Sequence, residues 1–348
     1  MLQSQFIIPF TCALIFCSAL TPAVIKLARL LNIQDAPAVS RKIHSYPVPL
    51  MGGLAIYLAY VLALWLSFKL GYFEGTKIIW PHVTAMLIGG GVLMLGGVLD
   101  DKFNLKPIQQ IFFPVIAVLI VIFSGLSIEY LTNPTGGIID LAQTPLLSLG
   151  LTFIWLLAMT YTTKILDGLD GLVGGITVIA AMIIFAVSLK WDSQPSATSV
   201  LTLILAGSAL GFLIFNWHPA KIFLGEGGSV VTGFFIGVLS IISGAKIATT
   251  LLIMTIPIID VAWVVYQRLK DRAHPLKTGD RRHLHFRLLN IGFTHRQSVV
   301  FLLVISALFG ITGLFLNTVG KIAVLAILSL LTVLFLWFVL KKYEKKVR

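Results

Sequence analysis

Residues 82–101 read HVTAMLIGGGVLMLGGVLDD, and this stretch determines the class of protein to which the chain belongs. It contains no Asp, Glu, Lys or Arg before its last two residues, which are Asp100 and Asp101. A helix of about 20 apolar residues crosses the roughly 30 Å of hydrocarbon in a bilayer. The stretch therefore predicts a transmembrane helix that carries acidic groups at one end.

Similar stretches recur along the 348 residues, which are 57% hydrophobic and only 11% charged, with a mean hydropathy of +0.97. This composition excludes a water-soluble globule and a disordered chain. The only cysteines, Cys12 and Cys17, lie in one apolar run and exclude a disulfide framework. We expect an all-α polytopic membrane protein that forms one domain over residues 1–348. About eleven transmembrane helices are predicted, at residues 5–25, 50–68, 82–99, 107–124, 146–163, 171–189, 198–215, 229–245, 247–266, 297–316 and 322–340.

The basic residues predict the orientation of these helices. Lys26 and Arg29 follow the first span and no basic residue precedes it, so we expect an outside N-terminus and no cleaved signal peptide. Eleven spans then place the C-terminus in the cytoplasm. Of the 26 lysines and arginines, the only ones expected outside are Lys69, Lys77, Lys190, Lys246 and Lys321. Membrane topology thus accounts for the net charge of +12. We expect the basic residues to interact with membrane lipid and not with nucleic acid.

The connection after the fourth span predicts a short hairpin on the outer surface. Apolar side chains alternate at Ile128 and Tyr130 before the turn sequence Asn133-Pro-Thr-Gly-Gly137, and Ile138 and Ile139 follow it. Such turn residues between two short apolar runs are typical of a hairpin.

Six of the 14 acidic residues lie at the predicted inner ends of the spans. They are Asp100, Asp101, Asp167, Asp170, Glu226 and Asp260. Ionisable groups beside a bilayer are costly and usually mark a site, although an isolated pair could be a solvated helix end. Clustered carboxylates repel one another unless a cation neutralises them, and ligation by oxygen alone is the preference of Mg²⁺. We therefore expect these acids to converge on one inner cleft that binds Mg²⁺.

Sequences that suit phosphate surround these acids. The segment from Lys164 to Gly175 places two carboxylates three residues apart among glycines, and Phe223-Leu-Gly-Glu226-Gly-Gly-Ser leads into a span whose first N–H groups attract anions. The loop from Arg268 to Arg296 adds eight basic residues and four histidines. Together these features indicate phosphoryl transfer, in which positioning and charge neutralisation supply most of the catalysis.

Several of these motifs have a structural alternative. Glycine pairs such as Gly52-Gly53 and Gly96-Gly97 are most often contacts between packed helices. The pair His283-Leu-His285 alone is more often a polar loop, because alternate residues do not share a helical face.

The motifs in combination resemble the polyprenyl-phosphate N-acetylhexosamine-1-phosphate transferase superfamily, and within it the undecaprenyl-phosphate N-acetylglucosamine-1-phosphate transferase branch more than the phospho-N-acetylmuramoyl-pentapeptide branch. The likeness rests on Arg41-Lys42-Ile-His44, Leu99-Asp100-Asp101, Asp167-Gly-Leu-Asp170-Gly-Leu, Asn216 ten residues before Glu226, and His283-Leu-His285. It implies that a polyprenyl phosphate attacks the β-phosphorus of a UDP-N-acetylhexosamine and releases UMP. It also implies Mg²⁺ or Mn²⁺ as cofactor and a cytoplasmic active site in a bacterial-type inner membrane.

The resemblance implies roles for individual residues. Catalytic positions are implied at Asp100, Asp101, Asp167 and Asp170, and metal ligation at Glu226 together with Asp100 and Asp170. Substrate binding is implied at Arg41, Lys42, His44, Asn216, Phe223, Arg281, Arg282, His283, His285 and Arg287.

Three residues depart from the family pattern. Lys164 stands where the family usually has Asn, Glu226 replaces Asp, and Phe286 replaces the last histidine of the usual motif. We count Lys164 with the catalytic residues, because its ammonium could bind the diphosphate directly or change how a metal is bound.

Alternatives stay open on three points. A transporter with an inner carboxylate ion site and a divergent superfamily member that uses another nucleotide sugar are the rival functions. The sequence leaves open whether the protein is a homodimer. A prenyltransferase of the DDxxD type is excluded because Asn104 stands at the third acidic position, and a CDP-alcohol phosphatidyltransferase because Ala-Arg does not follow Asp167-Gly168.

Overall fold

The computed structural model describes residues 4–36, 46–133, 137–192, 196–244, 247–270 and 283–347. These residues are mostly helical, as expected. The helices are α1 (Ser4–Leu30), α2 (Gly52–Lys69), α3 (Trp80–Phe103), α4 (Pro107–Phe123), α5 (Pro145–Leu166), α6 (Leu172–Trp191), α7 (Ala197–Asn216), α8 (Gly225–Ile242), α9 (Ile247–Ile253), α10 (Thr255–Lys270), α11 (Leu284–Asn290), α12 (His295–Phe315) and α13 (Thr318–Val347). Two short antiparallel pairs join β1 (Gln34–Asp35) to β2 (Val48–Pro49) and β3 (Tyr130–Thr132) to β4 (Ile138–Asp140).

The sequence predicts eleven spans, but fewer of the described helices are long enough to cross a membrane. Within the described residues, α1, α2, α3, α5, α6, α7, α8 and α12 are long and apolar enough to cross a membrane, and α9 with α10 brings the number to nine if the pair is one span. The apolar helices Pro107–Phe123 and Val319–Leu334 are shorter. The chain is therefore a polytopic helical membrane protein with eight to nine candidate spans. The count of eleven and the orientation stay predictions.

The ninth predicted span, residues 247–266, is broken. Helices α9 and α10 are bent by 71° where they meet. Pro257 lies just after the break and has no N–H to donate to the carbonyl group four residues earlier. A lost backbone hydrogen bond at this point explains why the apolar stretch does not continue as one straight helix.

Glycines bring α2 and α3 close to α8. A Cβ atom at Gly53 would contact the backbone of Gly228, and one at Gly97 would contact the backbone of Gly227. Small residues allow helix backbones to approach this closely inside a membrane. The glycine pairs are therefore helix contacts, as the structural alternative predicts, and they bring the end of α3 to the start of α8.

The hairpin predicted between the fourth and fifth apolar stretches is confirmed. Strand β3 pairs with β4, and Leu131 lies opposite Ile139. The hydroxyl of Tyr130 donates to the carbonyl oxygen of Gly244, just beyond α8, at 3.0 Å. The hairpin thus lies at the end of α8 that is remote from Glu226.

Candidate active site

The first part of the site is the contact between the end of α3 and the start of α8. The backbone N–H of Glu226 donates to both carboxylate oxygens of Asp101, at 3.1 and 3.2 Å. Gly225 has a φ of 72°, and a Cβ atom there would contact the same carboxylate. Asp101 therefore satisfies a free amide at the positive end of the α8 dipole, where a negative charge is stabilised.

A continuous chain of polar contacts links Asp100 to Glu226. Asp100 Oδ1 accepts hydrogen bonds from the N–H of Leu105 at 2.8 Å and from Gln110 Nε2 at 3.0 Å. Gln110 Oε1 in turn accepts from Lys164 Nζ at 3.1 Å, and Lys164 forms an ion pair with Glu226. The predicted residues Asp100, Lys164 and Glu226 are thus brought together. Gln110 was not predicted from the sequence, where it is one of two adjacent glutamines near the start of the apolar helix α4.

The last residue of α7 and the segment that follows it anchor the loop between α5 and α6. Asn216 accepts a hydrogen bond from the N–H of Gly171 at 2.9 Å and donates to the carbonyl oxygen of Ile222 at 2.9 Å. Asp170 accepts from the N–H of Ala220 at 3.2 Å. Asn216 is buried, and in this structure its amide positions the loop that carries Asp167 and Asp170. Its implied role in substrate binding stays a prediction.

Two histidines form a cluster with Asp170. His218 Nδ1 lies 2.6 Å from Asp170 Oδ2, and His295 Nε2 lies 4.0 Å from the same oxygen. In the described ranges, this is the only group of three or more metal-binding side chains with ligand atoms within 4.8 Å of one another. The imidazole rings stack with centroids 3.9 Å apart and planes 13° apart. Histidine binds a metal in the plane of its ring, so two stacked rings do not point to a common ion, and the cluster instead fixes the orientation of Asp170.

The histidine motif lies at the start of α11. Asp260, on α10, accepts hydrogen bonds from the N–H of Leu284 at 2.8 Å and lies 2.9 Å from His283 Nδ1, so it anchors this motif. The rings of His283 and His285 are parallel with centroids 5.6 Å apart, so the two side chains do lie side by side. The pair is therefore a packed element and not the polar loop of the structural alternative.

His285 is the most buried member of the motif. Neither ring nitrogen has a hydrogen-bond partner among the described residues. A Cβ atom on Gly168 would contact its Nε2, so the ring packs against the Asp167–Asp170 loop. Burial lowers the pKa of His285 to about 4, and the imidazole is neutral near pH 7.

The other predicted binding residues fall into two groups. Arg287 is buried and donates to Gln267 Oε1 at 2.9 Å, and the N–H of the half-buried Phe223 donates to the carbonyl oxygen of Pro49 at 2.9 Å. Five predicted residues lie outside the described residues: Arg41, Lys42, His44, Arg281 and Arg282.

Asp167, the residue that follows α5, is exposed. The pKa of Asp167 is nevertheless raised above its usual value. The first cause is partial loss of solvent around the carboxyl group, and the second is repulsion from the carboxylates of Glu226, Asp101 and Asp170. The loop is thus a point at which carboxylates from separate helices repel one another. A cation or a hydrogen-bond donor bound there would relieve that repulsion.

The predicted metal ligands do not assemble into one site. Glu226 is paired with Lys164, both oxygens of Asp100 accept from Gln110, and Asp170 is paired with His218. Three carboxylates that share one ion would have ligand oxygens within a few ångströms of one another. In the described part of the chain, Asp100, Asp170 and Glu226 form no such group. As they are arranged, these residues do not fit a preformed Mg²⁺ site.

An apolar recess opens beside the polar chain, between α3, α4 and α8. Its walls include Leu93, Phe113, Pro114 and Val230. Its polar lining consists of Asp100, Gln110 and Glu226. The recess is small, and its lining brings apolar side chains together with three polar ones.

Comparisons with known proteins bear on this site. A family model described as glycosyl transferase family 4 matches residues 83–244. The probable undecaprenyl-phosphate N-acetylglucosaminyl 1-phosphate transferase of Bacillus subtilis (strain 168) is 29% identical over 320 residues, which cover 90% of this chain and 86% of the relative. The decaprenyl-phosphate N-acetylglucosaminephosphotransferase of Mycolicibacterium smegmatis is 32% identical over 287 residues, 75% of this chain and 70% of the relative. The undecaprenyl-phosphate alpha-N-acetylglucosaminyl 1-phosphate transferase of Escherichia coli K12 is 27% identical over 301 residues, 83% of this chain and 77% of the relative.

Proposed function

The chain belongs to glycosyl transferase family 4, and we propose that it transfers N-acetylhexosamine 1-phosphate from a UDP-linked sugar to a polyprenyl phosphate. The names of its relatives support a phosphotransferase that acts on a polyprenyl-phosphate acceptor. N-acetylglucosamine is the sugar in each of those names and is the first candidate for the sugar of the donor.

One observation carries this proposal. The polar chain from Asp100 through Gln110 and Lys164 to Glu226 lies at the edge of an apolar recess between membrane helices. A polyprenyl phosphate has the same two parts, a hydrocarbon tail and a dianionic head. The tail would lie against the half-buried Phe113, and the phosphate would meet the ammonium of Lys164 and the amide of Gln110.

The reaction is a displacement at phosphorus. An oxygen of the lipid phosphate forms a bond to the β-phosphorus of the donor, and the bond from that phosphorus to the bridging oxygen breaks, so that UMP leaves with this oxygen. The second pKa of a phosphate monoester is about 6, so the nucleophile is already ionised near neutral pH. The protein therefore needs to position two anions and reduce their repulsion, and it does not need a strong base.

Different residues would neutralise the phosphates and position the loop. Lys164 would offset the negative charge of the phosphates, and the neutral His285 would offer a hydrogen bond beside the Asp167–Asp170 loop. Asn216 and His218 would act as positioning residues, because they fix that loop. Mg²⁺ or Mn²⁺ is proposed as cofactor on the chemistry of the acids alone, and no step here depends on it. The bacterial relatives support a location in a bacterial plasma membrane. The distribution of basic residues supports a cytoplasmic position for this site.

The test is an assay of the purified protein with undecaprenyl phosphate, Mg²⁺ and a panel of UDP-N-acetylglucosamine, UDP-N-acetylgalactosamine and UDP-glucose. We expect UMP only when the lipid phosphate and an N-acetylated sugar are both present. The exposed Asp140, on the remote hairpin, provides a matched control, since Asp140→Asn should keep full activity. Absence of UMP under every condition would contradict the proposal and favour the transporter.

A further inference from the structure

We propose that Lys164 is a tethered cation that occupies Glu226 and competes with divalent cations for it. The inference deepens the proposed function, on which it rests, by stating what controls metal binding at that site. The predicted metal ligands Glu226, Asp100 and Asp170 each contact another side chain of the protein. A carboxylate cluster that the sequence assigns to a metal contains instead an ammonium group supplied by the chain itself.

The ends of two helices favour this ion pair. Lys164 lies in the last turn of α5, and Glu226 lies in the first turn of α8. A cation is stabilised at a helix C-terminus and an anion at a helix N-terminus, because the backbone carbonyl and N–H groups there are unpaired. Each dipole therefore favours the charge that its helix carries. The side chains are 15% and 21% exposed, so water screens the attraction only in part.

A second set of contacts fixes the ammonium group. Lys164 Nζ donates to Gln110 Oε1 at 3.1 Å, and the opposite end of the same amide donates to both oxygens of Asp100. The aromatic ring of Tyr161 lies one turn earlier on α5, with its centroid 5.7 Å from Nζ. A lysine with an acidic, an amide and an aromatic partner is a defined part of the site and not a freely moving surface charge.

These contacts have a consequence for a divalent cation. A carboxylate oxygen that accepts a hydrogen bond or forms an ion pair already has a partner, and an incoming metal must displace that partner. To bind Glu226, the metal must also approach a fixed positive charge within a few ångströms, and like charges at that distance repel strongly where water is scarce. Removal of the ammonium would take away both obstacles. Lys164 therefore lowers the affinity of Glu226 for a divalent cation.

The experiment measures binding of Mn²⁺ by electron paramagnetic resonance, with purified protein in detergent and without substrate. We expect Lys164→Asn to bind Mn²⁺ about tenfold more tightly than the wild type, a gain within the range for removing one like charge a few ångströms from the ion. Lys164→Gln keeps most of the length of the side chain and should show the same gain, so the test does not depend on the folding of one variant. Adding Glu226→Gln to either variant should abolish the gain.

The matched control is Lys102→Asn. Lys102 is exposed near the same end of α3, and its ammonium lies over the ring of Phe103, 5.5 Å from the centroid. This substitution removes the same charge without touching Glu226, and we expect wild-type affinity for Mn²⁺. Wild-type affinity in both Lys164 variants, an equal gain in Lys102→Asn, or a gain that survives Glu226→Gln would overturn the inference. Because no substrate is present, failure of the transferase assay would leave this measurement unaffected and would refute the proposed function alone.

Discussion

Asp167 is the residue at which catalytic need and stability should conflict most clearly. Its raised pKa means that the folded state retains a proton that the unfolded chain has already lost. That stability is fully present below the unfolded pKa of about 4 and is lost as the pH rises through the folded pKa. Ionised Asp167 is therefore a source of instability at alkaline pH.

We predict that Asp167→Asn lowers transfer by about 10²-fold, the usual effect of losing one electrostatic group from an active site. The same variant should melt at a higher temperature than the wild type at pH 9, with a smaller difference at pH 5. UMP release and thermal melting in the presence of EDTA measure the two effects. A lower melting temperature than the wild type at pH 9 would contradict the sign of the pKa shift.

Gly168 tests the contact between the acidic loop and the histidine motif. Alanine there would place a Cβ atom against Nε2 of His285 and move the buried ring. Because displacements of about 1 Å can cost roughly 10²-fold in rate, we predict a loss of that order in Gly168→Ala. Gly150→Ala, on α5 with open space around the new Cβ atom, is the control. Equal UMP release from the two variants would show that the contact does not matter.

Residue types in the site were predictable to different degrees. The acids could be singled out because a charge beside a membrane is energetically costly. Asp100, Asp101, Asp167 and Glu226 were predicted to lie near one another, and in the structure their charges interact. Gln110 and His218 were not singled out, because single polar residues of these types are common at the ends of spans. Asp260 was expected in the cleft, but it anchors the histidine motif. Its two hydrogen bonds depend on a fold that a single sequence does not reveal.

At the scale of elements, the contact of α3 with α8 decides whether the site forms. In Gly97→Ala the new Cβ atom would meet the backbone of Gly227, which cannot rotate away as a side chain can. We predict a loss of about 1–3 kcal/mol of stability from overpacking, together with loss of transfer as Asp101 leaves the N–H of Glu226. Thermal melting in detergent measures the first effect and UMP release the second.

The matched substitution is Gly174→Ala near the start of α6, where the nearest side-chain atom would be 3.4 Å from the new Cβ atom. That distance is an ordinary van der Waals contact, so we expect a melting temperature close to that of the wild type. If Gly97→Ala were as stable and active as Gly174→Ala, the close approach of α3 and α8 would not be required.

The positions of helices were more predictable than their shapes. Ten of the eleven apolar stretches coincide with one helix each, the ninth is divided between α9 and α10, and the hairpin is present, since hydropathy and turn residues act locally. The 71° bend between α9 and α10 was missed although Pro257 was visible. Membrane helices often accommodate proline, because neighbouring groups satisfy the freed carbonyl. Whether the helix bends therefore depends on its packing partners.

At the scale of the whole molecule, the distribution of basic residues predicts which end faces the cytoplasm. Alkaline phosphatase fused after Asn133, at the hairpin, should be active, because this reporter folds only outside. A fusion after Asn104, between α3 and α4, should be inactive for the same reason. The activities of the two fusions measure the orientation, and the reverse pattern would place the acidic cluster outside and contradict the use of a cytoplasmic nucleotide.

The assembly of the site could be predicted only in outline. The hydrogen bond from Glu226 to Asp101 spans 125 positions of the chain, and the one between Asp170 and His218 spans 48. Composition and hydropathy place such residues at one end of the molecule but not at bonding distance. The ion pair between Lys164 and Glu226 could likewise not be predicted, since in the sequence each residue is only a departure from a family pattern.

The proposed activity requires that the sugar be transferred together with its phosphate. The measurement is the fate of the label when purified protein receives undecaprenyl phosphate and UDP-N-acetylglucosamine carrying ³²P at the β-phosphorus. We predict that the label enters a solvent-extractable lipid diphosphate and that the released nucleotide is unlabelled UMP. Label that stays with the nucleotide, as labelled UDP or unchanged donor, would contradict sugar-1-phosphate transfer by this site.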